Sequence, residues 1–176
     1  MGIEQQGLAT PHITMIDEIE FCLEPHRITR LLKNLTEEEN GQYFITTHSP
    51  VVLRQLTVVN LFVVQYSEQI VSIKPTQISG FEEVIQGKIR SGAECFLGKN
   101  VIVCEGATEI GICKGLETHL LGKGSDPFAF TGTNLFDAKG GSNVRVAAEA
   151  FQSLGYRVAV IVDLSLIHIS EPTRPY

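Results

Sequence analysis

Two glutamates in the stretch VIVCEGATEIG, residues 101–111, have the spacing to bind one cation. The apolar run is typical of a buried strand that ends at Glu105. Gly106 permits a sharp turn, and a helix that begins at Ala107 or Thr108 places Glu109 in its first turn. Hard cations prefer carboxylate oxygens and water, so both side chains are candidate metal ligands. The helix dipole alone also favours a negative charge at Glu109, and that alternative stays open.

A third acid, Asp163, follows another apolar run, RVAVIVD. If the two strands are parallel, their carboxyl ends meet at one edge of a sheet, where α/β proteins bind ligands. Three acids from two strand ends and one helix start predict a site for one or two metal ions. Such a site activates water and stabilises the transition state of phosphoryl transfer.

The glycine turn AKGGSN, residues 138–143, lies between these strands. Two glycines allow close approach of the backbone, so a phosphate could bind where the next helix begins. The candidate phosphate contacts are Lys139, Ser142, Asn143 and Arg145. An ordinary glycine turn with a Ser or Asn cap explains the pattern equally well.

A second acidic pair, Asp17 and Glu18, ends the strand-like run ITMIDE. About 30 residues later, the run FITTHSP ends in His48 and Ser49. Neighbouring parallel strands would bring both ends to one sheet edge. There Asp17 could hold Mg²⁺, Glu18 could orient water, and His48 could hydrogen-bond a phosphate. Taken singly, an acidic turn and a structural histidine are the alternatives.

Strand and helix patterns alternate along the chain, which predicts an α/β fold with mostly parallel sheets. Beyond the runs above, we expect helices over 26–39, 107–121 and 143–154, a short helix at VVLRQL, a hairpin at NLFVVQYSEQIVSIKP, one or two short helices within 76–98, and a short strand near PFAFTG.

Composition fits a globular protein able to bury a core: 43% of the 176 residues are hydrophobic and 19% charged. The net charge of -6 gives no global basic field, although a bound metal can supply local positive charge to nucleic acid. The four cysteines form no CxxC pair, and we expect buried thiols in a reducing compartment. No apolar run reaches the roughly 18 residues that span a bilayer. These features predict a cytoplasmic protein.

The N-terminal part of the chain, residues 1–75, resembles the end of an ABC-type ATPase head. The form is that found in the SMC-like and OLD (overcoming lysogenization defect) families. Asp17–Glu18, the following IEFCLEP and the THSP of His48 resemble its Walker B, D-loop and switch-histidine elements. The resemblance implies an ATP site in which Asp17 coordinates Mg²⁺, Glu18 is the catalytic carboxylate and His48 senses the γ-phosphate. Ile19 replaces the usual proline, and neither a GxxxxGK[ST] loop nor the signature motif occurs. We therefore expect weak ATP binding by this chain alone.

The C-terminal part, residues 99–164, resembles a TOPRIM domain, the Rossmann-like metal-binding fold of topoisomerases, primases and OLD-family nucleases. The matching residues are Glu105 in VCEGATE, the AKGGSNV turn at 138–144 and Asp163 in VIVD. The resemblance implies metal ligation or acid–base work for Glu105, with Glu109 and Asp163 as further ligands. The family's DxD motif requires an acid at 165, where this chain has Ser165.

Together the resemblances imply a piece of an ATP-dependent, Mg²⁺- or Mn²⁺-dependent DNA endonuclease of phage defence or DNA repair, paired as a homodimer through its ATPase heads. We expect this piece to be inactive by itself. The expected plan is an ATPase portion at 1–75, a connecting segment at 76–98, a partial TOPRIM domain at 99–164 and a non-native tail at 165–176. The alternatives are an ABC-type ATPase whose TOPRIM module binds DNA without cutting it, and a primase- or topoisomerase-like enzyme.

Overall fold

The computed structural model describes residues 11–67, 69–77 and 82–163, and confirms the α/β class with helices flanking parallel sheets. Its elements, in chain order, are β1 (His12–Ile16), α1 (Pro25–Glu37), β2 (Gly41–Ile45), α2 (Pro50–Gln55), β3 (Phe62–Ser67), β4 (Ile70–Pro75), α3 (Glu82–Gly92), β5 (Asn100–Cys104), α4 (Ala107–Leu121), β6 (Thr133–Asp137), α5 (Gly141–Ser153) and β7 (Arg157–Ile161). Short 3₁₀ helices span Val58–Asn60 and Ala93–Leu97.

The chain divides into two compact units, Met1–Leu56 and Thr57–Tyr176. The predicted domain limits at 75 and 98 rest on sequence relationships, and they stay predictions. Within the described ranges, no helix combines the length and apolar character needed to cross a membrane.

In the first unit, β1 and β2 form a parallel pair in which Ile16 is opposite Ile45. Helix α1 connects them and begins with a proline at its first turn, where the missing N–H costs no hydrogen bond. Its apolar stripe buries Ile28 and Leu32 against Val52 of α2. The parallel pairing confirms that the residues after β1 and those after β2 lie at one sheet edge.

The second unit begins with the expected hairpin, in which β3 and β4 pair antiparallel from Phe62–Pro75 to Ser67–Ile70. Helix α3 follows and buries Ile85 and Ile89, each 1% exposed. The 3₁₀ helix Ala93–Leu97 then leads directly into β5. Two short helices in this region agree with the sequence pattern.

A parallel three-stranded sheet in the order β6-β5-β7 carries the main core of the second unit. Val101 and Val103 of β5 are fully buried on the face that α5 covers. Phe151 of α5 lies at the centre of this core, and its ring centroid is 5.3 Å from that of Phe136 and 5.6 Å from that of Tyr156. On the opposite face, Cys104 lies next to Cys113 of α4, with 4.0 Å between the sulfur atoms.

The strand expected near PFAFTG begins directly after it, because residues 128–132 form consecutive turns. The N–H of Phe130 bonds the carbonyl of Pro127, and that of Gly132 bonds the carbonyl of Ala129. Gly132 has a positive φ of 65°, which ends the turns, and β6 begins at Thr133. The expectation of four buried thiols is wrong for Cys22, which is exposed; the other three cysteines are buried.

Candidate metal centre at the edge of the three-stranded sheet

Glu105 is the first residue after the central strand, and hydrogen bonds from both neighbouring segments hold its backbone. Its N–H bonds the carbonyl of Ile161 at 3.1 Å, and its carbonyl accepts the N–H of Gly140 at 2.9 Å. Its side chain is half-buried, and Oε2 accepts the N–H of Asp163 at 3.2 Å. The carboxylate is therefore oriented by the segment that follows β7.

Glu109 lies in the first turn of α4 and is 8% exposed. Its Oε2 accepts the N–H of Gly106 at 2.9 Å, while the first helical bond runs from the N–H of Ile110 to the carbonyl of Gly106. This arrangement is half of a capping box, and it satisfies one of the donors that every helix N-terminus leaves free. The start of the helix by itself therefore explains an acid at Glu109, and one oxygen of its carboxylate already accepts a hydrogen bond.

A cavity of about 480 Å³ opens where β5, β6 and β7 end. It brings together Glu105, Glu109 and Asp163, the three acids predicted to lie at this edge. The remaining lining residues are Gly106, Ala107, Thr108, Asp137, Lys139 and Gly140.

Asp137, at the end of β6, is a fourth acid that the sequence reasoning missed. The apolar pattern of PFAFTG draws the expected strand away from Thr133–Asp137, so the pattern does not mark Asp137 as the end of a strand. The signal was available: Leu135 and Phe136 form an apolar pair followed by an acid and then a glycine turn. The same order of apolar strand, acid and glycine marks Glu105.

The donors around the cavity fit a hard divalent cation by their chemistry. Carboxylate oxygens are the ligands that Mg²⁺ prefers, and Mg²⁺ usually keeps several water molecules while it binds one or two carboxylates. Across residues 11–67, 69–77 and 82–163, no three His, Cys, Asp or Glu side chains stand close enough to hold an ion together directly.

The AKGGSN turn contributes Lys139 to the cavity, while its other predicted phosphate contacts have local partners or lie elsewhere. Lys139 adopts a left-handed φ of 55°, and its N–H bonds Oδ1 of Asp137 at 2.8 Å. The amide of Asn143 donates to the carbonyl of Ala138 at 3.1 Å, so it closes the turn as a cap would.

Neither Arg145 nor Ser142 lines the cavity in the described part of the chain. Arg145 pairs with Glu149 at 2.7 Å on the exposed side of α5. The hydrogen bond to this carboxylate and its charge raise the pKa of Arg145. If a phosphate binds at this turn, Lys139 is the predicted contact that lies at the cavity.

Residues 96–164 match the family model described as the overcoming lysogenization defect protein-like TOPRIM domain. The matched segment contains β5, β6 and β7 and all the acids that line the cavity. This segment is an OLD-like TOPRIM domain. TOPRIM domains bind divalent metal ions such as Mg²⁺, and the domain indicates metal-dependent processing of DNA. A comparison with curated proteins gave no match.

Outside the TOPRIM domain, the first unit places its own acids beside the THSP turn. The hydroxyl of Thr46 donates to Asp17 Oδ1, and it accepts the N–H of Glu18 at 2.9 Å. Glu18 has a positive φ of 47°, uncommon for a residue with a side chain and often found at functional turns. His48 lies two residues after Thr46. The structure therefore gathers Asp17, Glu18 and His48 at one edge, while their roles stay predictions.

Glu20, which the sequence reasoning did not single out, ties the two turns of this edge together. Its carboxylate accepts the hydroxyl of Thr47 at 2.7 Å and the N–H of His48 at 2.7 Å. Burial by itself would raise the pKa of Glu20, but these two hydrogen bonds favour the ionised form, and the net effect lowers the pKa. Only the folded chain reveals this contact.

Ser165, which stands where the family motif requires an acid, lies outside the described residues, as does the tail predicted at 165–176.

Proposed function

We propose that this chain acts in an ATP-binding, divalent-metal-dependent DNA endonuclease that hydrolyses phosphodiester bonds in phage defence or DNA repair. The observation that carries the proposal is the cavity that collects Glu105, Glu109 and Asp163 within the OLD-like TOPRIM segment. The carboxylates at the cavity repel a DNA phosphate, and a bound cation would offset this repulsion.

A bound divalent ion supplies Lewis acidity and lowers the pKa of a bound water molecule. The side chains of the protein would hold the ion and orient the groups around it. Glu105, fixed by the N–H of Asp163, and Asp163 itself are the residues that would hold the ion. Lys139, also at the cavity, provides a positive charge for a phosphate oxygen.

The ATP part of the proposal rests on the edge formed by Asp17, Glu18 and His48. Asp17 would coordinate Mg²⁺, Glu18 would orient the attacking water, and His48 would contact the γ-phosphate. We further propose that two copies pair through these units. Binding of a fluorescent ATP analogue in Mg²⁺ tests this part: we expect weak binding that is lost in Asp17→Asn. Equal binding by that variant would contradict it.

Nicking of supercoiled plasmid in Mg²⁺ or Mn²⁺ tests the nuclease part. The chain is compared with Ser165→Asp, which supplies the acid of the DxD motif, and with the same variant carrying Glu105→Gln. We expect little or no cutting by the unaltered chain, faster cutting by Ser165→Asp, and none when Glu105→Gln is added. Glu39→Gln, an exposed site in the first unit, is the matched control and should change nothing. Cutting that survives Glu105→Gln would overturn the assignment.

The alternative is an ABC-type ATPase whose TOPRIM module binds DNA without cutting it. Absence of an acid at position 165 of the natural sequence would favour this alternative, because the motif uses that carboxylate for metal; here Ser165 lies in the tail predicted to be non-native. DNA binding in Mg²⁺ without nicking, both by the chain and by Ser165→Asp, would select it.

A further inference from the structure

Asp137 ends β6, on the other side of the central strand from the segment that carries Asp163. In the order β6-β5-β7, Cys104 of β5 is opposite Asp137 on one side and Ile161 on the other. Glu105 follows Cys104, with Asp137 at the end of the strand on one side and Asp163 two residues beyond the end of the strand on the other. All three line the same cavity.

The backbone around Asp137 is held firmly. The N–H of Ala138, the next residue, bonds the carbonyl of Cys104 at 2.9 Å, and Ala138 is 1% exposed. Oδ1 of Asp137 accepts the N–H of Lys139 at 2.8 Å. A carboxylate fixed through one oxygen keeps the other for a ligand, and little rotamer entropy remains to be lost on binding.

The turn by itself does not require a charge at this position. An asparagine can accept the N–H of Lys139 in the same way, because its carbonyl oxygen is an equivalent acceptor. A further negative charge in a cavity that already holds Glu105, Glu109 and Asp163 adds like-charge repulsion. Nearby cations offset part of it: Lys139 lines the cavity, and the ammonium of Lys88 lies 4.8 Å from the centre of the Phe136 ring.

We infer that Asp137 is a further metal-facing carboxylate of this centre, directed to a hard divalent cation on the β6 side of Glu105. The inference rests on the proposed metal-dependent function. With Asp163 on the β7 side, Glu105 then lies between two carboxylates from different strands. Ions such as Mg²⁺ bind one or two carboxylates directly and keep several water molecules, so the acids on either side of Glu105 would share such an ion partly through water.

Calorimetric titration of the full 176-residue chain with Mn²⁺ tests the inference. Asp137→Asn keeps the acceptor for Lys139 and removes only the charge, so its thermal unfolding without metal should match that of the unaltered chain. We expect its Mn²⁺ affinity to fall at least about tenfold. Asp126→Asn, at an exposed loop residue, removes the same charge away from the cavity and should leave the affinity unchanged.

Glu105→Gln separates failure of this inference from failure of the proposed function. If Asp137→Asn binds Mn²⁺ like the unaltered chain while Glu105→Gln binds weakly, the role of Asp137 is overturned and the metal centre stands. If the unaltered chain binds no Mn²⁺, the role of Asp137 and the proposed metal centre are both contradicted. Should Asp137→Asn unfold at a lower temperature, Asp137→Ser, whose hydroxyl can still accept the N–H of Lys139, replaces it under the same criteria.

Discussion

The N–H of Asp163 donates to Oε2 of Glu105, and this hydrogen bond joins two residues that are 58 positions apart. Because β5 and β7 are parallel neighbours, their ends lie side by side, and the segment after one strand orients the side chain after the other. The orientation of Glu105 therefore depends on formation of the last strand. The proposed metal centre is a property of the assembled sheet.

Substitution of Gly98 by alanine is expected to destabilise the second unit. A Cβ at this position would lie 2.8 Å from the carbonyl oxygen of Gly132 and closer still to Nδ2 of Asn134, and the backbone atom cannot move aside easily. We expect a loss of about 1–3 kcal/mol in the free energy of unfolding, measured by urea denaturation.

Gly111→Ala is the matched control for Gly98→Ala. It lies within α4 and has nothing within 4 Å of the added methyl group. Alanine is a better helix former, so a gain of roughly 0.5–1 kcal/mol is expected. Changes of the same sign in both variants would contradict the steric argument.

Phe151→Ala is expected to be the most damaging of these changes, because Phe151 is 1% exposed at the centre of the core. Its ring contacts those of Phe96, Phe136 and Tyr156. The cavity left behind should cost about 3–5 kcal/mol, measured by urea denaturation. Phe130→Ala, at a ring that is 80% exposed, should change stability by less than about 0.5 kcal/mol.

Glu109 can be tested for its two roles with two substitutions. Glu109→Ala removes the acceptor for Gly106 and should cost about 1 kcal/mol of stability. Glu109→Gln keeps that hydrogen bond and should preserve stability. If Glu109 also holds metal, Glu109→Gln will weaken Mn²⁺ binding although the fold is intact. An alanine variant as stable as the unaltered chain would contradict the capping role.

Thiol reactivity should distinguish Cys22 from the buried cysteines. Burial raises the pKa of Cys95 to about 12 and that of Cys104 to about 12, so at pH 8 only about one in 10,000 of these thiols is ionised. Ellman's reagent should therefore modify one exposed thiol rapidly in the native protein and all four after denaturation. The rapid phase should vanish in Cys22→Ser; its survival would contradict the assigned burial.

Titration of Glu20 should show a pKa below its usual value of 4.5, since its hydrogen bonds from Thr47 and His48 outweigh the effect of burial. A depressed folded-state pKa stabilises the fold fully above the unfolded value, and this contribution is lost as pH falls through the folded pKa. Carboxyl-carbon NMR measures the pKa directly. The Thr47→Val variant should raise it, whereas a value above 4.5 in the unaltered chain would contradict the role of these bonds.

Much of the architecture follows from the sequence because local patterns are strong. The apolar run before Glu105 and the amphipathic stretch of α1 each agree with their structured counterparts. The sequence also shows an acid after two other apolar runs, Asp17 and Asp163. Apolar periodicity and the glycine after a strand are local physical constraints, so they can be read without the fold.

Other features depended on tertiary structure. The position of β6, and with it Asp137, was decided by the turns at 128–132 and by pairing with β5, which outweigh the apolar pattern of PFAFTG. Glu20 reaches Thr47 and His48 only because β1 and β2 are adjacent. Residue type and spacing thus determined that Glu105 and Asp163 follow strands. Long-range hydrogen bonds, which join residues far apart in the chain, decided which of them share a cavity and which partner fixes each carboxylate.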